Sequence, residues 1–343
     1  MRRLVVDLNA TAPAWALGEA DAARLRDGAP AGWEACIVAA PTVSDGDGGA
    51  APSAAALAAV ADAEVYVGFG MSRALFDAAP RLRWIHSAAA GVGALLFPEL
   101  RARDVIVTNS AGVHAVPIAE WVVGAVLHFL RGFDLAEARR RDARWDREAF
   151  VGADTPVREV RDCQALILGA GGIGTEVARR LTMLGARCTG VRRHAARGAP
   201  PGFERVVGTG EWAPLLPECD VLIIAAPSTP ETRHLVGERE LDALPTRALV
   251  VNVARGSLLD EGALAARLAA GRLRGAALDV FAREPLPADS ALWGLSSVLL
   301  TPHVSGVSPR GFRERELALI LDNWRRYVAG APLRNLVDKD AGY

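Results

Sequence analysis

Cysteine is scarce and unpatterned. The four residues, Cys36, Cys163, Cys188 and Cys219, show neither CxxC nor Cys/His spacing, so they read as reduced core thiols and not as a disulfide frame or a metal site. Lysine is almost missing: Lys339 is the only one, and arginine carries the remaining positive charge. In so arginine-rich a chain, an isolated pair of arginines says little. Neither sign of charge is in excess, with 39 Lys and Arg against 40 Asp and Glu, which removes the field that nucleic acid or an acidic membrane surface would need. Long apolar runs are lacking too. Nothing reaches the ~18 charge-free apolar residues of a membrane span, and the apolar run in MRRLVVDLNATAPAW is too brief for a secretory signal. The expectation is a cytoplasmic protein with no metal, no nucleic acid and no membrane partner.

At 343 residues the chain exceeds a usual single core, which predicts two domains. Short β-branched runs alternate with helical patterns, the signature of parallel α/β architecture. Strands are expected at RLVVDLN, CIVAA, EVYVGFG, LRWIHSA and DVIVTN, then at QALILGA, RCTGVRR, VLIIAAP, ALVVNVARG, GAALDVF and SVLLTPH. PTVSDGDGGAAPS, rich in Gly, Pro, Ser and Asp, reads as an exposed loop without chemistry. Val116 to Phe133 repeats apolar residues at helical spacing and predicts a buried helix; the arginine run Arg139 to Arg141 reads as the solvated face of the next one.

In ALILGAGGIG an apolar strand gives way to a helix, and Gly169, Gly171 and Gly174 stand at GxGxxG positions, with Gly172 and Ile173 between them. The first glycine permits a tight turn, the second lets backbone approach a pyrophosphate, and the third allows close helix-to-strand packing. The helix N-terminus adds free N–H groups and partial positive charge. About 20 residues on, where an NAD site usually carries an acidic residue for the ribose, the chain reads Val191-Arg192-Arg193.

Three later segments end apolar strands with charged or titratable residues: Arg255 in VVNVARG, Glu284 in ALDVFAREP and His303 in LLTPH. Ligands bind at the carboxyl ends of strands in open α/β sheets, so these residues are expected to converge. The trio suits one chemistry. A guanidinium offers paired donors to a 2-oxo acid, a histidine donates the proton that a reduced carbonyl needs, and a neighbouring carboxylate holds the imidazolium.

At these residues the chain resembles the D-isomer-specific 2-hydroxyacid dehydrogenases, the NAD(P)-linked group that includes glyoxylate/hydroxypyruvate reductases. RLRWIHSAAAGVG, TNSAGVHAVPIAEW, GAGGIG, APSTPETRHLVG, NVARGSLLDEGAL, ALDVFAREPLP and TPH occur in that family's order, from about Leu82 to His303. The resemblance implies two Rossmann-like α/β domains. One is a doubly wound parallel-sheet NAD(P)-binding domain at 113–303; the other is a smaller flavodoxin-like substrate domain built from both chain ends, 1–112 and 304–343.

By the same resemblance Arg255 binds the substrate carboxylate and carbonyl, His303 is the acid/base, and Glu284 is its partner. The amides of Ala90, Gly91 and Val92 hold the substrate carboxylate. Asp279 hydrogen-bonds the nicotinamide amide, Val253 and Ala254 line its pocket, Pro227 and Thr232 lie near ribose and phosphates, and Gly306 joins the cofactor set. Arg192 falls where NAD-preferring relatives carry their ribose aspartate, so with Arg193 it favours a 2′-phosphate. After the AGV turn, Gly93 and Ala94 replace the polar and bulky residues common in relatives and leave room for a substrate side group.

The expected activity is reduction of small 2-oxo acids to D-2-hydroxy acids by a homodimer that prefers NADP(H), with NAD(H) left open. An NAD-linked dehydrogenase working oxidatively, or a non-catalytic NAD(P)-sensing protein, are the alternatives. The substrate itself is not legible. His86, His114, His128, His194 and His234 are read as structural.

Overall fold

The protein is described as a computed structural model covering residues 1–13, 15–44 and 50–342. It divides into two compact units, Met1–His114 with Val307–Tyr343, and Ala115–Gly306. The breaks follow His114 and Gly306, rather than 112 and 303.

The first unit is built on strands β1 (Arg2–Asp7), β2 (Trp33–Ile37), β5 (Val65–Gly68), β6 (Trp84–Ser87) and β7 (Ile106–Asn109). All are parallel, in the order β2-β1-β5-β6-β7. Counted within the sheet that is 2-1-3-4-5, the flavodoxin-like order. β5 and β6 are buried along their whole length, as expected of parallel strands covered on both faces. β2 starts three residues earlier than CIVAA, because β1 begins at Arg2 and the register pairs Arg2 with Trp33.

Within the expected loop, β3 (Val43–Ser44) pairs antiparallel with β4 (Ala50–Ala51), and 45–49 lie outside the described residues. The last helix, Pro309–Val328, returns to this unit. Leu317, Ile320 and Trp324, at helical spacing, are fully buried with Leu4, Val6, Leu25 and Trp33.

The second unit contains β8 (Gln164–Leu168), β9 (Arg187–Val191), β10 (Arg205–Val207), β11 (Val221–Ile224), β12 (Leu249–Asn252), β13 (Gly275–Leu278) and β14 (Val298–Leu300). They form one sheet ordered β10-β9-β8-β11-β12-β13-β14. Counted within the sheet that is 3-2-1-4-5-6-7, whose first six places are the Rossmann order, with the switch point between β8 and β11. β10, absent from the expected strands, is three residues long, begins with an exposed Arg205 and sits on the edge. The expected Val116–Phe133 helix spans Ala115–Leu130; Gly132 at φ 70° stops it and starts the arginine-bearing Phe133–Arg141. It buries one face, where Val122, Val126 and Phe129 join Val177, Ala178 and Leu181 of the helix Gly172–Met183.

Cys163, Cys188 and Cys219 are buried and free, and Cys36 is half-buried. Burial pushes the Cys219 thiol up to about 12. His86 is a buried core histidine bonded to Thr108 (2.8 Å) and Ser110 (3.2 Å). Arg139 pairs with Asp146, and Arg140 and Arg141 with Glu137.

Candidate functional site

The three glycines after β8 are glycines for different reasons. Gly169 has φ 110°, and a β-carbon there would lie 2.5 Å from the Ala225 carbonyl oxygen. At Gly174 a β-carbon would run into the Gly169 carbonyl. The turn and the helix-to-strand approach require both. Gly171 is the exception: a β-carbon there would meet no atom within 4 Å. No packing of this chain demands a glycine at that point. It is the N-cap of the helix Gly172–Met183, with no side chain capping it, beside an exposed Gly172 and a half-buried Ile173. Open space over an uncapped helix N-terminus fits an incoming pyrophosphate, which takes hydrogen bonds from the free N–H groups.

Arg192 follows the end of β9. Its guanidinium donates to the Gly198 carbonyl, while its Nε is buried with no partner. Arg193 is exposed. Nearby, the Glu231 carboxyl is held below its ordinary value by the Thr229 hydroxyl and its own amide, with the Arg193 charge as a smaller contribution. The Arg193 charge therefore lies near the turn Pro230–Thr232, where the Thr232 hydroxyl donates to the Pro227 carbonyl (2.8 Å) and accepts from the Thr229 amide (2.8 Å). The proposed ribose and phosphate residues thus share one edge of this unit.

The end of β12 is organised by Asn252, which the sequence reading did not single out. Its Nδ2 donates to the Arg255 carbonyl (3.1 Å) and its oxygen accepts from the Ala254 amide (3.1 Å). A lone amide closing the apolar run LVVN was the available signal. Val253 and Ala254 are buried, so they form a floor; Arg255 is half-buried in extended backbone, with one N–H on the Ala254 carbonyl (2.7 Å).

Glu284 and His303 meet. His303 Nδ1 lies 2.8 Å from Glu284 Oε2, with the side chains 41% and 37% exposed, so the pair is open to a ligand. The other Glu284 oxygen accepts from the Phe281 amide at 3.0 Å. With Nδ1 committed to the carboxylate, Nε2 is the ring nitrogen left for another partner.

His303 has φ 55°, left-handed backbone that costs a non-glycine residue about 1–3 kcal/mol. Asp279 is what holds it there. Its carboxylate accepts from the Thr301 hydroxyl (2.5 Å), the Val304 amide (2.8 Å) and the Ser305 amide (2.9 Å), and its carbonyl accepts from His303 N (2.8 Å). Asp279 is 0% exposed. These bonds shape the loop from Thr301 to Ser305 and leave one acceptor site of the carboxylate, on the oxygen that takes Ser305, without a donor among the described residues.

In the first unit the Ala90 carbonyl accepts from Asn109 (2.9 Å), Gly91 is half-buried and Val92 buried; Gly93 and Ala94 are exposed. Among the described residues, no group of His, Cys, Asp and Glu could hold a metal.

A parallel sheet of this order, with its glycine turn at the switch point and an acid–base pair at its strand ends, defines a dinucleotide-binding oxidoreductase. Comparison with known proteins carries the identification further. Residues 123–305 match the family described as "D-isomer specific 2-hydroxyacid dehydrogenase, NAD binding domain". An (S)-sulfolactate dehydrogenase of Chromohalobacter salexigens is 33% identical over 260 residues, covering 75% of this chain and 81% of the relative. A glyoxylate/hydroxypyruvate reductase A of Escherichia fergusonii is 37% identical over 229 residues, 65% of this chain and 68% of that one. Among solved structures, a D-isomer specific 2-hydroxyacid dehydrogenase of Xanthobacter autotrophicus Py2, in complex with NADPH and MES, superposes with a TM-score of 0.79 at 29% identity and covers 100% of this chain and 99% of its own. The chain belongs to the D-isomer specific 2-hydroxyacid dehydrogenase family. It is an NAD(P)-binding enzyme of the 2-hydroxyacid dehydrogenase and reductase class.

Proposed function

We propose that this enzyme is an NADPH-preferring reductase that converts small 2-oxo acids to D-2-hydroxy acids, with His303 as the proton donor. The observation that carries the reading is the exposed His303–Glu284 pair at 2.8 Å, held in left-handed backbone at the strand end after β14. A reduced nicotinamide cofactor, whose pyrophosphate the glycine turn would hold, would supply the hydride for the C2 carbonyl. His303 Nε2–H gives its proton to the carbonyl oxygen, and Glu284 stabilises the imidazolium before transfer. Arg255 binds the carboxylate and carbonyl with two donors and offsets charge developing on oxygen. The Ala90, Gly91 and Val92 amides are the proposed second holder of the carboxylate. Arg192 and Arg193 supply the cationic edge that a 2′-phosphate needs.

A matrix of initial rates, NADPH and NADH against glyoxylate, hydroxypyruvate and bulkier 2-oxo acids, tests this directly. Reduction should be faster with NADPH and should decline toward alkaline pH, because the donated proton is lost. His303→Asn should abolish most turnover and that decline while retaining NADPH. Cofactor binding with no turnover on any 2-oxo acid would replace the reductase with a cofactor sensor.

A further inference from the structure

We propose that Glu261 is a positioning residue for the acid: it anchors the turn that carries Glu284 and sets a second negative charge behind the Glu284–His303 pair. The proposal rests on the reading of His303 as the proton donor. Glu261 opens the helix Glu261–Ala269, yet the capping of that helix is done by Asp260, whose side chain accepts from the Ala263 amide at 2.9 Å. Glu261 instead reaches another element and accepts a short hydrogen bond from the Ala282 amide, in the turn after β13. The adjacent amide, Phe281 N–H, is the one that donates to Glu284. Two successive peptides of one turn are therefore each held by a carboxylate, one of them the partner of His303.

The same peptide is pressed from a second direction. A β-carbon at Gly256, the residue after Arg255, would overlap the Phe281 carbonyl group and the Ala282 nitrogen, so the backbone of the arginine turn lies directly against it. Arg255, Glu284 and His303 thus hang on one clamped peptide, with Glu261 as the side chain of the clamp.

Its electrostatics point the same way. The charged groups acting on Glu261 are Glu284, on the turn it holds, and Asp260, on its own helix. No Lys or Arg is among them. Burial, against the opposing Ala282 hydrogen bond and together with the Glu284 and Asp260 charges, raises its carboxyl above the ordinary value. A half-buried carboxylate beside another one is unfavourable in itself; in this proposal its charge reaches the His303 imidazolium through Glu284, which interacts with both.

The test is the pH profile of 2-oxo acid reduction by the full-length enzyme, with Glu261→Gln, Glu261→Ala and His303→Asn compared with wild type and NADPH affinity measured in parallel. Glu261→Gln retains an acceptor for Ala282 but loses the charge, so its alkaline limb should move down by about half a pH unit with kcat near wild type below it. Glu261→Ala also frees the turn, and kcat should fall about tenfold with NADPH affinity unchanged. Profiles of both variants that overlay the wild type, or a limb that moves upward, would overturn the proposal. An alkaline limb that survives in His303→Asn would instead overturn the assignment of the acid, whatever the Glu261 variants do.

Discussion

Replacing Asp279 with asparagine is the most discriminating perturbation of this site, because the loop bonds seen in the structure and the nicotinamide contact implied by the resemblance predict different outcomes. The carboxylate accepts from three buried donors: Thr301 and Val304 on one oxygen, Ser305 on the other. Asparagine has one oxygen and an NH2. If the oxygen is kept for Thr301 and Val304, the NH2 faces the Ser305 N–H and a buried donor loses its partner, at about 1–3 kcal/mol. The two surviving bonds also lose their charge assistance, which brings the sum to about 2–4 kcal/mol. That exceeds or matches the ~1–3 kcal/mol stored in the left-handed His303 backbone. The loop is then free to relax, and at 1.4 kcal/mol per tenfold a partial release lowers kcat/KM by about 10- to 100-fold.

Three measurements on Asp279→Asn decide the matter: steady-state reduction with NADPH and glyoxylate, NADPH affinity by fluorescence titration, and thermal unfolding. A loop-shaping role predicts that kcat falls, NADPH affinity holds and the melting temperature drops. A contact with the nicotinamide amide predicts weaker NADPH binding with kcat largely preserved at saturation. That second pattern would refute the structural assignment.

Arg192→Asp should shift the ratio of kcat/KM for NADPH over NADH at least about tenfold toward NADH, by exchanging an attracting for a repelling charge at the 2′ position; an unchanged ratio would sink the role of Arg192. Gly171→Ala should fold with a wild-type melting temperature, since its β-carbon meets nothing, yet raise the NADPH KM about tenfold because it occupies the pyrophosphate cradle. Gly169→Ala should do the reverse of the first half and destabilise the protein by several kcal/mol, about 1–2 from the positive φ and the rest from the overlap with Ala225. Asp220 is buried and paired with Arg158 (3.0 Å) and Arg247 (2.6 Å). Burial pushes its carboxyl up, but the Gln164 amide and the two arginines outweigh that and leave it below the ordinary 3.8. Its stabilisation is therefore full above that ordinary value and lost as pH falls through the lowered one. Asp220→Asn should cost about 3–5 kcal/mol at neutral pH, and urea midpoints of variant and wild type that fail to converge in acid would contradict this.

The strands and the order of the motifs were legible because a parallel sheet covered on both faces writes continuous apolar runs, as in VYVG and VLII, and because the runs LVVN, GAAL and VLL lead into the segments that carry Arg255, Glu284 and His303. What escaped the sequence has identifiable causes. β10 carries only three residues on an edge, where half-burial erases the apolar signal. Asn252 and Glu261 act through backbone groups of segments that follow in chain or lie on another strand end, and no spacing rule encodes a hydrogen bond to an amide 21 residues away. Asp279 was visible as a polar residue closing GAAL, but its bonds to the Val304 and Ser305 amides, 25 and 26 residues on, were not.

The site can also be separated from the scaffold by asking which local rules are broken without a packing reason. Gly169 and Gly174 obey packing: neighbouring atoms fill the space a side chain would need. Gly171 does not, and the helix behind it begins without a cap. His303 adopts a conformation that disfavours histidine, Arg192 leaves a buried Nε unpaired, and Glu261 stands beside a like charge. Each departure costs stability in the isolated chain, and the proposed function would give each a chemical return: a phosphate over Gly171, a proton on His303, a 2′-phosphate near Arg192, a stabilised imidazolium in front of Glu261. The prediction that follows is collective. Saturating NADPH should stabilise the wild type by the binding linkage, about 2.7 kcal/mol at a hundredfold excess over Kd. Gly171→Ala and Arg192→Asp, at the same NADPH concentration, should lose most of that increment while leaving the ligand-free melting temperature in place. Variants that melt earlier without NADPH yet keep the full increment would show that these residues serve the scaffold after all.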